Sequence, residues 1–404
     1  MVPKGWTDGR VEDLLNGLES GVSVNGEDRQ LLNGEKGVLK VSAVTYGTFD
    51  PTAVKVIERQ DELNRAKVNP RKSQIIISRS NTENLVGASA YINSDYPELF
   101  LPDKLWQTIP KPDANMKWLS YVLSSEPVRY TLSNLATGTS GSMKNITKGE
   151  FLSLRIGIPP LPEQQKIAKI LSTWDNAIST TERLIDNSTQ QKKALMQQLL
   201  TGKKRLLDES GKRFESEWEE VKLGEVVKHQ KGFAFKSSSY RDTGIRIIRI
   251  SDTTRNSVHD NSPAYINESE VAPLLKYKLN SGDIILSTVG SRPHLLDSMV
   301  GKAIQIPAKD SGALLNQNLV KLIPKDKIIA SNYLFLMITN QKFNYFISTL
   351  VRGNANQVSI TLKELFAYTF PLPPLPEQQK IAKILSTWDK AISATERLID
   401  NSTQ

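Results

Sequence analysis

One segment of this chain is written twice. Pro159–Gln190 returns 214 residues later as Pro373–Gln404, and over these 32 positions only two differ: Asn176 against Lys390, and Thr180 against Ala394. So long a period excludes a short-repeat solenoid. It leaves two large halves, each ending in the same element.

That element reads as a long helix. Pro162 takes a first-turn position, where a missing N–H costs nothing. Glu163 follows it beside the positive helix end. The Pro159-Pro160-Leu161 lead-in is extended and forces a sharp entry. Ile167, Leu171, Trp174, Ile178, Thr181, Ile185 and Ser188 then recur at alternating spacings of four and three. The first copy continues through Lys192, Leu195 and Leu199 to a glycine cap at Gly202. Lys203, Lys204 and Arg205 follow near the negative end. A mean spacing of about 3.5 is the seam of a coiled coil. The expected seam sets Ile167, Leu171, Trp174, Ile178 and Ile185 of the first helix against Ile381, Leu385, Trp388, Ile392 and Ile399 of the second. Positions of exposed type, such as Glu163, Gln164, Lys166 and Lys169, recur as well, which argues that more than polarity is kept. Recent duplication leaves the same trace, and the plainer alternative is that each helix packs only on its own domain. The second copy stops at Gln404, the counterpart of Gln190, so the far end of the pair is expected to be asymmetric.

At 404 residues the chain has room for two or three domains. A hydrophobic content of 39% and a charged content of 24% are those of an ordinary soluble protein. No apolar run approaches a membrane span, and Met1–Trp6 lacks the apolar core of a signal peptide. There is no cysteine, which excludes disulfides and thiolate metal sites and points to a reducing compartment. His229, His259 and His294 are too scattered for a metal cluster, so no metal site is expected. The net charge of +9 favours an anionic partner only weakly, since no block is overwhelmingly basic. Residues 158–205 carry 8 basic and 4 acidic groups, and residues 206–371 carry 21 and 17.

The two halves share an order of elements. In the first, Val38–Val44 and Gln74–Ser78 read as strands rich in β-branched residues, Lys55–Lys67 as a charged helix or loop, and Lys117–Leu123 as a helix. Thr137–Lys144 is a small polar loop. In the second, Ile247–Asp252 and Asp283–Ser287 take the strand positions, Asn332–Thr339 the helix, and Arg352–Gln357 the polar loop. Ile360 precedes Pro373 by the same interval as Ile146 precedes Pro159. The frame is kept while the loops diverge, and loops on a rigid scaffold are where recognition usually sits. The expected boundaries are 1–157, 158–205, 206–371 and 372–404.

The run Pro159-Pro160-Leu161-Pro162-Glu163-Gln164-Gln165-Lys166-Ile167-Ala168, repeated from Pro373 and preceded each time by a polar loop and an Ile-Thr strand start, resembles the specificity subunit of type I restriction–modification systems. The resemblance covers essentially the whole chain. It implies an α+β fold: two pseudo-symmetric α/β target-recognition domains separated by a pair of long antiparallel coiled-coil helices. It implies that each domain reads one half of a bipartite double-stranded DNA site, and that two methyltransferase (M) subunits dock on the helices. Restriction (R) subunits then join. S-adenosylmethionine, ATP and Mg are used by those partners, with no cofactor bound by this chain, in the cytoplasm of a prokaryote.

Missing motifs agree with a non-catalytic role. There is no Asn-Pro-Pro-Tyr/Phe loop for a target amino group and no GxxxxGKS/T loop for phosphates. Pro102-Asp103 and Pro112-Asp113 lack a following Glu-x-Lys, and Glu220-Val221-Lys222 lacks an upstream partner. Glu163 and Glu377 read as helix-start residues rather than general bases. Base-edge readout needs Arg, Lys, Asn or Gln on projecting loops. The first half offers Tyr46, Arg79, Ser80, Asn81, Thr139, Ser140 and Lys144. The second offers Thr253, Arg255, Arg292, His294, Arg352, Asn354 and Gln357. The alternative function is a helical adaptor that binds only proteins, which accounts for the duplicated helices but not for the matched loops.

Overall fold

The computed structural model describes residues 3–140, 143–254, 257–291, 300–351 and 357–403. The chain divides into two units, Met1–Ser179 and Thr180–Gln404. Each contains the same arrangement of sheets.

In the first unit an antiparallel sheet runs in the order Leu15–Ser20, Leu105–Pro110, Ile75–Ser78, Ser89–Tyr91. Its central strand is buried on both faces. Ile75 and Ile77 join a core with Trp106, Trp118 and Leu119. Ile76 points the other way, into a core with Leu39, Val54 and Leu99, as the two-residue period of a strand requires. The second unit repeats this with Val227–Lys231, Leu319–Pro324, Ile284–Ser287 and Ala303–Gln305. There Ile284 and Leu286 feed one core and Ile285 another. A second sheet is likewise shared: Val54–Val56, Gly37–Leu39 and Leu99–Phe100 in one unit, Ala264–Ile266, Ile245–Ile248 and Leu314–Leu315 in the other. In both, the last pair is parallel and the first antiparallel.

The repeat extends to close approaches. A Cβ on Gly21 would lie 2.0 Å from the Leu101 carbonyl oxygen, and one on Gly232 would lie 2.0 Å from that of Asn316. Both glycines end the first strand of their large sheet.

Two expected strands are shorter than their apolar runs. Val38–Val44 is a strand only over Gly37–Leu39, after which Val41–Ala43 closes a 3-10 turn with the Val44 N–H on the Val41 carbonyl. Ile247–Asp252 behaves the same way: the strand is Ile245–Ile248, and Ile250–Asp252 is a turn. In that copy the Asp252 carboxylate accepts the Arg249 N–H at 2.9 Å and draws the chain into the turn. Lys55–Lys67 splits into the strand Val54–Val56 and the helix Gln60–Arg65. The strands Leu105–Pro110 and Leu319–Pro324 had no sequence-based assignment. In the first, Gln107 and Thr108 are fully buried, and their side chains serve the backbone: Thr108 Oγ1 accepts the Ile75 N–H at 2.9 Å, and Gln107 Oε1 that of Arg71 at 3.0 Å.

The long helices are Leu161–Leu200 and Leu375–Thr403. Each is entered by a two-stranded ribbon, Thr7–Arg10 with Arg155–Ile158 and Glu219–Lys222 with Thr369–Leu372. Each entry is fastened by a glutamine. Gln164, placed among the exposed-type positions by sequence, is 2% exposed. Its Nε2 donates to the Pro159 carbonyl (2.9 Å) and its Oε1 accepts the Asn115 N–H (3.0 Å). Gln378 donates to Pro373 (2.7 Å) and Ile328 (3.0 Å) and accepts from Ala330 (2.8 Å). The reason is local. The first proline carbonyl lies outside the helix and buried, and a buried acceptor must find a donor.

Within the second unit the two long helices run antiparallel. Lys192 pairs with Asp389 and Arg205 with Glu377, so one number rises as the other falls. Leu195, Met196, Leu199 and Leu200 share one core with Ile381, Ile384 and Leu385. Ile185, Trp388, Ile392 and Ile399 are half-buried along the same helices. In the first unit Ile167 packs on the domain core and Ile178 is half-buried. Leu171 is 37% and Trp174 56% exposed.

Gln378→Ala leaves three backbone groups, the buried Pro373 carbonyl among them, without their partner and is expected to lower stability by roughly 1–3 kcal/mol. Urea denaturation measures this. Gln379→Ala, at the exposed neighbouring position, is expected to stay within about 0.5 kcal/mol of the parent.

Candidate nucleic-acid interface

In the first unit backbone pairing gathers the expected segments into one surface. Ser80–Asn81 lies beside Met143–Asn145, which lies beside Thr137–Ser140. The register sets Lys144 opposite Asn81 and Asn145 opposite Ser80. The Ile146 N–H donates to the Arg79 carbonyl at 3.0 Å and anchors the sheet to the end of the central strand.

The side chains divide into exposed and committed. Lys144 is half-buried beside Met143, which is 45% exposed. Asn81 spends its amide locally: Nδ2 donates to Ser78 Oγ (3.2 Å) and Oδ1 accepts the Thr82 N–H (2.8 Å). Arg79 is held by Asp103, with Nε on its carbonyl at 2.8 Å and Nη2 on its carboxylate at 3.4 Å. Ser80 is 3% exposed; its strand position turns it inward, which corrects the expectation of a projecting reader. Thr139 and Ser140 belong to the outer strand, and their side chains lie outside the described residues.

Tyr46 stands beside a cluster that sequence reasoning missed. Its hydroxyl donates to the Asn84 carbonyl, which also receives Arg129 Nη2 at 2.8 Å. Arg129 Nη1 donates to Val86 at 2.9 Å. The guanidinium carbon lies 4.9 Å from the Tyr46 ring centroid, a cation–π distance. Arg129 is 8% exposed. Burial pushes its guanidinium below the ordinary arginine range, and the Tyr46 hydrogen bond partly offsets this. The next residue, Tyr130, is 69% exposed and Tyr46 is 54% exposed. With Glu83, Asn84 and Glu126 these residues line an open cavity of about 480 Å³. An arginine beside a tyrosine was the only sequence signal; the helix that carries them, Glu126–Leu135, had no sequence-based assignment, and nothing indicated Tyr46 as neighbour.

The second unit has the same frame. Val289–Gly290, just past the central strand, pairs with Val358–Ser359, just past the polar loop. The Ile360 N–H donates to the Thr288 carbonyl at 3.0 Å, as Ile146 does to Arg79. Gln357 is exposed at the start of this pairing. Arg255, Arg292, His294, Arg352 and Asn354 lie outside the described residues. Thr253, expected at a tip, is 7% exposed. Its hydroxyl turns back onto the Ile250 carbonyl (2.8 Å), and its own carbonyl accepts from the buried Lys302 Nζ (2.9 Å). The 3-10 turn that shortens the preceding strand draws it inward.

Some of the basic side chains are already paired with carboxylates within the units. Arg249 forms a two-point pair with Asp252 (2.7 and 3.0 Å), which raises the guanidinium above its ordinary range. Arg246 and Lys309 both pair with Asp260, holding that carboxyl below the usual range. Cations held this way have less to offer a phosphate.

The resulting surface in each unit is a short sheet of loop-borne strands at the end of a rigid central strand. In the first unit it carries Lys144, a donor of the kind that contacts phosphates, and in the second Gln357, an amide of the kind that reads base edges.

A family model described as "Type I restriction modification DNA specificity domain" matches residues 3–187 and again 215–401. The specificity subunit of the type I restriction enzyme MjaVIII from Methanocaldococcus jannaschii is 27% identical over 402 residues, covering 97% of this chain and 88% of its own. The EcoKI specificity subunit of Escherichia coli strain K12 is 22% identical, covering 99% and 86%. The solved S subunit of a type I restriction–modification system from M. genitalium superimposes with a TM-score of 0.61 at 16% identity, over 98% of this chain and 93% of that one. The HsdS subunit from Thermoanaerobacter tengcongensis gives 0.51 at 19% identity, over 98% and 92%.

Replacing Arg129 by Met keeps its bulk but strands the Val86 carbonyl and leaves the Asn84 carbonyl to the Tyr46 hydroxyl alone. A loss of roughly 1–3 kcal/mol is expected, read from thermal unfolding. The double substitution with Tyr46→Phe is expected to cost more than the sum of the two singles, because either donor alone still satisfies the Asn84 carbonyl and only the double leaves it bare.

Proposed function

This chain belongs to the family of type I restriction–modification DNA specificity subunits, and from that premise we propose that each unit reads one half of a bipartite site in double-stranded DNA. The observation that carries the proposal is the repeated pairing of two divergent segments: Ser80–Asn81 with Met143–Asn145, and Val289–Gly290 with Val358–Ser359. The hydrogen-bond frame is the same in both units. The side chains mounted on it differ, as two different half-sites require.

Chemistry then belongs to other subunits. Two methyltransferase subunits dock on the long helices, and restriction subunits join that assembly. S-adenosylmethionine, ATP and Mg serve those partners, and the complex works in the prokaryotic cytoplasm. The chain supplies position: phosphate contacts set register, and base contacts set sequence.

Methylation mapping of the host genome tests this directly. The expected outcome is a motif of two defined blocks with a constant gap. Lys144→Ala is expected to affect one block only. As a base contact it relaxes a single position by about 1–3 kcal/mol; as a phosphate contact it weakens that half uniformly and lowers the salt slope by about one. An undivided motif, or one substitution altering both blocks, would sink the proposal.

A further inference from the structure

The second unit holds a cavity of about 770 Å³, whose lining includes none of the paired strands Val289–Gly290 and Val358–Ser359. Small-molecule sites occupy roughly 300–1,000 Å³. Its walls come from the last turns of Leu161–Leu200, the entry ribbon of Glu219–Lys222 and Thr369–Leu372, and the helices Ser331–Met337 and Gln341–Leu350. Two lining residues, Leu200 and Met337, also belong to the core of the unit. Trp218 is held from several directions. Its Nε1 donates to the buried Glu377 carboxylate at 3.0 Å. The Arg205 guanidinium carbon lies 5.5 Å from its ring centroid. Gly202, at a φ of +70°, packs on the indole, so that an added Cβ would lie 3.4 Å from the ring. Pro371 is fixed by the Tyr333 hydroxyl, which donates to its carbonyl at 2.9 Å. Walls already set in this way lose little freedom when a ligand enters. Met196 and Met337 add thioethers, which adapt to the outline of an aromatic ring and contact it favourably. The lining suits an aromatic body.

The charged part of the lining is Lys193, Lys342 and Glu220, all exposed. None of the three forms an ion pair among the described residues. Two ammonium groups from different helices face one carboxylate, a balance of one positive charge. That balance matches a ligand with a single negative charge better than it matches a phosphate dianion, which the Glu220 carboxylate repels. Tyr345, 72% exposed, adds a second ring to the lining. The first unit does not repeat the arrangement. Its helix Glu126–Leu135 corresponds to Gln341–Leu350 and keeps the tyrosine, as Tyr130, but sets Glu126 and Pro127 where the second unit has Gln341 and Lys342. An acid and a proline in those places provide no cation for an anion.

We propose that this cavity is a binding site for a small aromatic molecule carrying one negative charge. The rings lie against Met196, Trp218 and Met337, and the anionic group is held by Lys193 and Lys342. The volume and the fixed apolar walls set the body of the ligand, and the unpaired lysines set its charge. The site is present once per chain, in the second unit. The proposal goes beyond the DNA-reading role and does not depend on it.

The probe is 8-anilinonaphthalene-1-sulfonate, titrated into the full-length protein and followed by its fluorescence and by calorimetry. Saturable binding of one probe per chain is expected, with a rise in the thermal unfolding midpoint, because a ligand that binds only the folded state stabilises it. Lys193→Gln and Lys342→Gln should each weaken binding about threefold or more, and the double substitution about tenfold or more, as losing two solvent-exposed charge contacts implies. Lys166→Gln, an exposed lysine in the first unit, should leave it unchanged. N-phenyl-1-naphthylamine has the same rings without the sulfonate, and octanesulfonate has the charge without the rings; each should bind about tenfold more weakly or less. Absence of saturable binding overturns the proposal. So does binding indifferent to the double lysine substitution, or matched by the uncharged amine, since the cavity would then be apolar surface alone. Displacement by octanesulfonate at the probe's own concentration overturns the choice of an aromatic ligand.

Discussion

The structure depends on how two buried glutamine side chains handle the proline carbonyls before each long helix. Gln164 and Gln378 bind those carbonyls and, with the other end of the amide, accept an N–H at the start of a domain helix, from Asn115 and Ala330. One side chain therefore fastens the helix both to its own entry turn and to the globular part of its unit. A buried amide with both ends satisfied fixes a direction in a way apolar packing alone does not, because hydrogen bonds constrain angles as well as distances. The helix leaves each unit at a set orientation to that unit's core.

From that anchor the design of each unit follows. A central strand buried on both faces, Ile75–Ser78 or Ile284–Ser287, divides its isoleucines and leucine between two cores. Its far end leads into the short paired strands where the two units differ most. The backbone ladder there is indifferent to side-chain identity, so Ser80–Asn81 in one unit and Val289–Gly290 in the other occupy equivalent places. A frame held by main-chain hydrogen bonds and a fully buried core tolerates loop change, which is what a family of recognition subunits needs.

Much of this was visible before any coordinates. The helix limits, the central strands and the order of elements followed from proline placement, the 3.5-residue seam and β-branched runs. Other features were hidden for identifiable reasons. The strand Leu105–Pro110 carries Gln107 and Thr108 facing inward, and two buried polar residues erase the alternation that marks a strand. Gln164 looked like a surface residue because only the fold shows which backbone groups need a donor. Among the candidate readers, loop position identified segments that the fold does bring together, but not which way each side chain turns. Ser80 and Thr253 point inward and Arg79 is tied to Asp103, while Arg129 reaches Tyr46 from a helix distant in sequence.

The amino-acid sequence by itself determined that two copies of one scaffold exist, that each ends in a long helix, and that what they carry has diverged. Those are properties of local periodicity and of repetition, and both are written along the chain. Only the tertiary structure decided that identical helix residues have different surroundings. Glu377 lies beneath Arg205 and Trp218 while Glu163 faces solvent beside Trp6. Burial depends on what the rest of the chain brings alongside a residue, and two equal sequences with unequal neighbours bury unequal surfaces.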